Sequence, residues 1–252
     1  MALERPSRRT TLALLVAGGL SLLVGRVVDA FGPFRSDGGE RWPADDTVSL
    51  PAPRDQSNVS VEDAIDSRRS RRTYSDRPLD RSELGQVLWA AQGVTDQVDD
   101  HRAAPSAGAL YPLELYVVIG SPGVEGLDPG VYRYRPEGHE LGQGRTGDLQ
   151  AELRAATLDQ EFVDDAPADI VICGVDERTT GKYGDRGRQR FVPMEAGHAG
   201  ENLYLQAEAL GLATVSVGAF DDDRVREVLE APSTQRPLYV FPVGERVGVT
   251  DE

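Results

Sequence analysis

What this chain has least of is lysine. Of its 27 basic residues, 26 are arginine and one, Lys182, is lysine. Generic positive charge is therefore supplied by arginine, and the lone amine poses a chemical question of its own. Positive charge is scarce altogether: 42 acidic residues leave a net charge of −15, with a pI near 4.7. That balance speaks against nucleic acid as a partner, which needs clustered positive charge on one face. A solvated acidic shell over an ordinary core, as in proteins of salt-loving organisms, fits the 39% hydrophobic content, which is too high for a disordered chain. Cys173 is the only cysteine, so an intrachain disulfide and redox chemistry by a thiol pair are both excluded. Any redox role needs a cofactor. Only three histidines occur, His101, His139 and His198. Their wide spacing lacks the clustering of a metal site, and no metal is expected.

Long apolar runs are missing too, apart from one between Leu12 and Val24. It follows Arg8-Arg9 and precedes Arg26 and the small-residue site Val28-Asp29-Ala30, a pattern that resembles a twin-arginine export signal. The run is short for a span, which needs roughly 20 apolar residues, although continuing to Val28 makes a marginal uncleaved anchor. Residues 1–30 are accordingly expected to be a signal or anchor, making the protein extracytoplasmic or membrane-anchored. The alternative is a cytoplasmic protein. Residues 31–58, rich in proline, glycine and aspartate without periodicity, read as a disordered linker, and residues 59–250 as one folded domain.

Within that domain, Ser60 followed by Glu62 and Asp63 opens a short helix. Asp80 or Ser82 caps a second, with Leu84, Val87, Leu88 and Ala91 on one face and Gly93 stopping it. Leu113, Leu115, Val117 and Ile119 alternate with Glu114, Tyr116 and Val118, giving a strand, and 131–135 gives another after a turn at Asp128-Pro129-Gly130. Leu149, Leu153 and Ala156 mark a modest helix and 170–175 a buried strand. The longest helix, 194–210, is apolar on most sides and ends at Gly211. Strands at 213–217 and 238–243, with a capped helix at 221–230 between them, complete an α+β architecture of about five strands.

Several motifs carry chemistry. Arg68-Arg69-Ser70-Arg71-Arg72-Thr73-Tyr74 crowds arginines into an acidic protein; extended, it puts Arg68, Ser70 and Arg72 on one face. Arginine forks and a hydroxyl suit a phosphate, and a solvated basic run has the same letters. Gly142-x-Gly144-x-x-Gly147 matches the dinucleotide fingerprint, but a polar turn, 136–140, precedes it where a buried strand is required. A flexible hairpin loop is expected there instead. Thr214-Val215-Ser216-Val217-Gly218 lacks the leading glycine of a nucleophile elbow. Pro105-Ser106-Ala107-Gly108-Ala109-Leu110-Tyr111-Pro112 offers small residues that let a backbone approach a flat ligand, or is an ordinary loop entering the next strand. Gly218-Ala219-Phe220 ends a strand and starts a helix, where backbone donors gather. Lys182 lies in a polar stretch, 178–190, read as a loop; a solvated charge is one reading, and a proton-transfer pair with Tyr183 is the other, because lysine can lose a proton and arginine cannot.

In this order and spacing, Arg68-Arg69-Ser70-x-Arg72-x-Tyr74, Pro105-Ser106-Ala107-Gly108, the long helix and Gly218-Ala219-Phe220 resemble the FMN-dependent nitroreductase superfamily. Ser106-Ala107-Gly108-Ala109-x-Tyr111-Pro112-Leu113-Glu114 and Lys182-Tyr183-Gly184-x-Arg186 resemble its SagB/ThcOx-type dehydrogenase branch. The resemblance implies a mostly antiparallel sheet flanked by helices, FMN as cofactor and a homodimer with FMN at its interface. It implies that Arg68 and Ser70 hold the phosphate and ribityl chain, that Arg72 lies near the flavin N1 and C2 carbonyl, that Ser106, Ala107 and Gly108 border the ring, and that Arg69 and Pro105 are also among the cofactor-binding residues. Gly218 and Ala219 would contact its reactive edge, and Arg246 stands where many relatives have a basic pair. By the same resemblance Tyr183 would be the base and Lys182 would ease its deprotonation. The leading expectation is oxidation of an organic or peptide substrate with hydride transfer to FMN. The others are an NAD(P)H-dependent nitro- or quinone reductase and a flavin-binding module without turnover.

Overall fold

In the computed structural model, which describes residues 46–248, seven strands form one sheet in which every neighbouring pair is antiparallel. Its spatial order is β1 (Thr47–Ser49), β6 (Glu140–Thr146), β5 (Gly130–Arg135), β4 (Leu113–Ile119), β7 (Ala168–Val175), β9 (Gln235–Glu245) and β8 (Leu212–Thr214). The centre is β4, buried along its whole length. Its alternation decides the layers. Leu113, Leu115, Val117 and Ile119 pack with Leu84, Val87, Leu88 and Ala91 of α2 (Arg81–Gln92) and with Ala196, Ala199, Leu203 and Ala207 of α5 (Val192–Ala209). Tyr116 and Val118 face the other way, onto Leu149, Leu153 and Ala156 around α3 (Gln150–Ala156) and Val225 and Leu229 of α6 (Asp222–Leu229). Helices thus cover both faces of the sheet. Burying one such leucine fully stabilises the fold by roughly 1.5–3 kcal/mol.

Helix ends follow the expected chemistry. Ser60 caps α1 (Val61–Ser67) by accepting the Asp63 amide at 3.0 Å, and the Glu83 carboxylate accepts the Asp80 amide at 2.8 Å before α2. Gly211, at φ 71°, follows the last turn of α5. Close approach of α5 to the sheet rests on Gly200: a methyl there would stand 2.9 Å from the Phe241 ring.

The structure departs from the sequence expectations in four places. Part of the expected linker is β1, an edge strand paired with β6, hidden in the sequence by the prolines around it. Residues 1–45, which hold the export-signal pattern and the rest of the linker, lie outside the described residues. Gly142 and Gly144 are inside β6, not in a loop. The polar stretch 178–190 contains α4 (Glu177–Tyr183) and a π-turn (Gly187–Phe191). Its glycines and charges disguise a helix that tertiary ion pairs hold: Asp176, at its start, binds Arg236 at 3.0 Å and Arg188 at 3.3 Å. Nine strands occur among the described residues where about five were expected, because β1 and the small hairpin of β2 (Val94–Asp96) and β3 (His101–Arg102) are too short to show a period, and the glycines of β6 read as a loop.

Candidate functional site

Two groups of expected residues gather at the two ends of α5. At its C-terminal end Tyr204 is the hub. The Arg68 guanidinium lies 5.1 Å over its ring, its hydroxyl is 3.1 Å from Ser70 Oγ, and that hydroxyl accepts the Ser216 amide at 2.7 Å. Arg71 pairs with Glu208, one turn further along α5, at 2.6 Å. Arg72 lies 5.5 Å over the Phe162 ring. Gly218 and Ala219 are exposed, and the Ala219 carbonyl accepts from Gln160. Arg69 is exposed and donates to the carbonyls of Asp66 and Arg68, apart from the Tyr204 group. Arg246 does reach this neighbourhood, but on the Glu208 side: it binds the carboxylate that Arg71 also holds, at 2.8 Å. One carboxylate shared by two arginines leaves positive charge in excess beside Arg68 and Ser70. An anion such as a phosphate suits that excess.

The second group centres on Gly108. Ser106 is extended, and the backbone then turns left-handed at Gly108 (φ 68°), Ala109 (φ 53°) and Tyr111 (φ 43°). Left-handed backbone costs a non-glycine residue roughly 1–2 kcal/mol, so the loop must be held from outside. It is. Ser106 Oγ accepts the Tyr111 amide at 2.9 Å, Arg178 donates to the Tyr111 carbonyl at 2.9 Å, and the Tyr111 hydroxyl accepts the Arg102 amide at 3.2 Å. Arg178 is itself fixed by Glu114, buried in β4 and also bound by Arg133 at 2.7 Å. Burial would raise the Glu114 carboxyl, yet Arg133 and Arg178 hold it below its ordinary value.

Onto this loop α4 delivers the lone lysine and its neighbour. A methyl placed on Gly108 would stand 2.7 Å from Lys182 Nζ and 2.7 Å from Tyr183 Oη. The missing side chain makes a cradle in which an amine and a phenol converge on bare backbone. Lys182 is exposed, its Nζ 5.4 Å from the Tyr183 ring centroid, and Tyr183 is braced edge-on by Phe191 at 4.8 Å. Pro105 is exposed at the mouth of the loop; Ser106 and Ala107 are half-buried. A flat ligand could lie against this backbone, with an acid–base pair beside it. Among the described residues no hydrogen bond or ring contact joins Arg68, Ser70 or Arg72 to the 106–108 loop.

Five side chains that build these groups were not expected from sequence: Tyr204, Glu208 and Ser216 in the first, Arg178 and Glu195 in the second. Tyr204 and Glu208 stand one turn apart on α5, a spacing that would have flagged them once the helix was recognised. Glu195 is a buried acid in the first turn of that helix. His101 is less isolated than its sequence spacing implied. Ligand atoms of Asp96, Asp99 and His101 lie within 4.8 Å of one another on the β2–β3 turn, where Asp96 Oδ1 accepts the Val98 and Asp99 amides, an arrangement common on solvated turns. Among the described residues no helix is long and apolar enough to cross a membrane.

An antiparallel sheet between helical layers, with a cationic group and a small-residue loop at the two ends of its core helix, defines the class. The chain belongs to the Nitroreductase family, which it matches over residues 65–245. Members of that family are oxidoreductases that generally bind flavin. The chain is 44% identical over 202 residues to a Methanocaldococcus jannaschii protein named as a nitroreductase, spanning 80% of this chain and 98% of that one. It is 31% identical over 166 residues to the microcin B17-processing protein McbC of Escherichia coli, covering 64% of this chain and 61% of McbC. A nitroreductase-named structure from Ralstonia eutropha superposes with a TM-score of 0.71 at 26% identity, covering 86% of this chain and 100% of that one. The E. coli microcin synthetase McbBCD complex with truncated pro-MccB17 bound shares the fold, with a TM-score of 0.62 at 23% identity over 88% of this chain and 79% of the matched one.

Proposed function

We propose that the protein is an FMN-dependent oxidoreductase of the SagB/ThcOx-type dehydrogenase branch that oxidises an organic or peptide substrate. The observation that carries this reading is the convergence of Lys182 Nζ and Tyr183 Oη on Gly108. The residues fit the cofactor. Arg68 and Ser70, with Arg72 beside them, would hold its phosphate end, and the 106–108 loop would border the ring next to Lys182 and Tyr183. When bound, FMN supplies the hydride acceptor. Tyr183 takes the substrate proton and Lys182 stabilises the resulting phenolate by its charge. The resemblance to McbC, a processing protein, supports a substrate larger than a nitroarene.

The second reading, an NAD(P)H-dependent nitro- or quinone reductase, draws on the name of the M. jannaschii relative. Purified full-length protein separates them. It should be yellow, release FMN on denaturation, and show a flavin that NADH and NADPH reduce slowly in stopped-flow. Fast bleaching by either would favour the reductase, and a colourless protein that FMN does not reconstitute would end both readings.

The homodimer with FMN at its interface is part of the proposal. It is supported by the exposed Val61 and Ile65, one turn apart on α1, the helix that leads into the arginine stretch.

A further inference from the structure

The first turn of α5 carries Glu195 at 2% exposure, and its Oε1 meets no hydrogen-bond partner among the described residues. Beside it lies the Ser106 hydroxyl. Ser106 Oγ already accepts the Tyr111 amide, so its own proton is left to be directed at the carboxyl. The charged groups that act on Glu195 from neighbouring elements are Arg102 of β3 and Arg178 of α4. Both are engaged elsewhere: Arg102 donates to Glu137 at 3.0 Å and to Gln92 at 3.2 Å, Arg178 to Glu114 and to the Tyr111 carbonyl. A carboxylate here has no counter-ion of its own in a dry setting, which is costly. Burial accordingly pushes Glu195 up to about 7, against the smaller downward pulls of the Ser106 hydroxyl, Arg102 and Arg178.

We propose that Glu195 is a positioning residue for the 106–108 loop: its neutral form holds the loop against Lys182 and Tyr183, and its ionisation releases it. A neutral carboxyl can sit dry beside Ser106, accepting the hydroxyl proton, at a far smaller desolvation cost than a carboxylate would carry. Once the proton leaves to solvent, the carboxylate needs several donors, and water is the only plentiful one. Water drawn in beside Ser106 competes with the contacts that hold a loop whose Gly108, Ala109 and Tyr111 are left-handed. The strain favours departure. The consequence for activity rests on the cofactor reading above, whereas the coupling between carboxyl and loop does not.

The test uses full-length, flavin-free protein with 13C-labelled glutamate carboxyls and 15N-labelled amides, titrated from about pH 5 to about pH 9, a range that brackets the shifted group. The Glu195 carboxyl should titrate near 7, with the Ser106 and Gly108 amides moving at the same midpoint. In Glu195→Gln those amides should stay at their acid-limit positions. Amides that ignore the wild-type titration, or that keep their midpoint in Glu195→Gln, would overturn the proposal. Should that variant not fold, Ser106→Ala serves: Glu195 still titrates, and the Gly108 amide no longer follows. In a second arm, FMN affinity is read by fluorescence quenching. Wild type should weaken above the midpoint by up to about tenfold per pH unit relative to Glu195→Gln, the limit for one linked proton. The phosphate's own ionisation is common to both proteins and cancels. Equal slopes with FMN bound would also overturn the proposal, while failure of FMN to bind at any pH sinks the cofactor reading and leaves the amide arm to decide.

Discussion

Adding one methyl at Gly108 asks two things of the loop at once. The residue must stay left-handed at φ 68°, which costs alanine roughly 1–2 kcal/mol, and Lys182 and Tyr183 must both retreat from 2.7 Å contacts. Gly108→Ala is therefore expected to fold but to lose turnover by about 10² or more, as a displaced acid–base pair does, with the loss measured under saturating FMN. Lys182→Ala and Tyr183→Phe should keep FMN content and folding while slowing substrate oxidation by about 10², the usual contribution of a positioned acid or base. Photoreduction of the bound flavin should be unchanged in both. Wild-type rates in both variants would reduce Lys182 to a solvated charge. Arg68→Ala with Arg72→Ala should lower FMN affinity by roughly 3–6 kcal/mol, about 1.5–3 for each hydrogen bond to a charged group, read by equilibrium dialysis.

The elements that carry these residues differ in how openly the sequence announced them. Strand β4 and helix α5 were legible because burial imposes a strict period on them, two for the strand and an apolar surface closed by Gly211 for the helix. Helix α4 was not. Its seven residues include Gly181, and it is held by contacts far away in sequence, Asp176 to Arg236 and Arg178 to Glu114. Strand β9 outran its expected start because Pro237 looks like a stop, whereas a register shift opposite Ile172 and Cys173 accommodates it. The site followed the same rule. Motif residues were visible; Tyr204, Glu208 and Glu195 are defined only by what packs over them. Arg178→Met should leave Glu114 with a single partner and the Tyr111 carbonyl without its donor, destabilising the fold by about 1–3 kcal/mol in urea denaturation. The pH dependence has a definite sign. Glu195 and Asp169, wholly buried in β7 with Gln150 donating at 3.1 Å, both have folded-state values raised above the ordinary carboxyl range. Their stabilising effect is complete below the unfolded value and is lost as pH rises through the folded one. For Glu195 the window runs from 4.5 to about 7, on the order of 3 kcal/mol at about 1.4 per unit, and Glu195→Gln should flatten that part of the profile.

For the molecule as a whole the proposed homodimer makes a sharp forecast. If FMN lies between two copies, mixing inactive Arg68→Ala and Lys182→Ala proteins should restore activity in the heterodimers that carry one intact site. Two self-sufficient chains would show no recovery. We propose from the Arg8-Arg9 pattern that the protein is exported by the twin-arginine route, which carries folded proteins and so would let an enzyme acquire flavin first. Replacing Arg8 and Arg9 with lysine should then retain the protein in the cytoplasm, and a wild type found there with its N-terminus intact would end the export proposal. The exposed position of Lys182, in a chain whose other basic side chains are all arginine, has a practical consequence. Acylating reagents attack amines and leave guanidinium groups alone, so the ε-amine beside Gly108 is the one side-chain amine in this sequence for them to attack. A fluorophore or crosslinker can be installed at the mouth of the site without engineering, and the rate of its attachment, with and without FMN, becomes a direct gauge of how tightly the ligand closes over that amine.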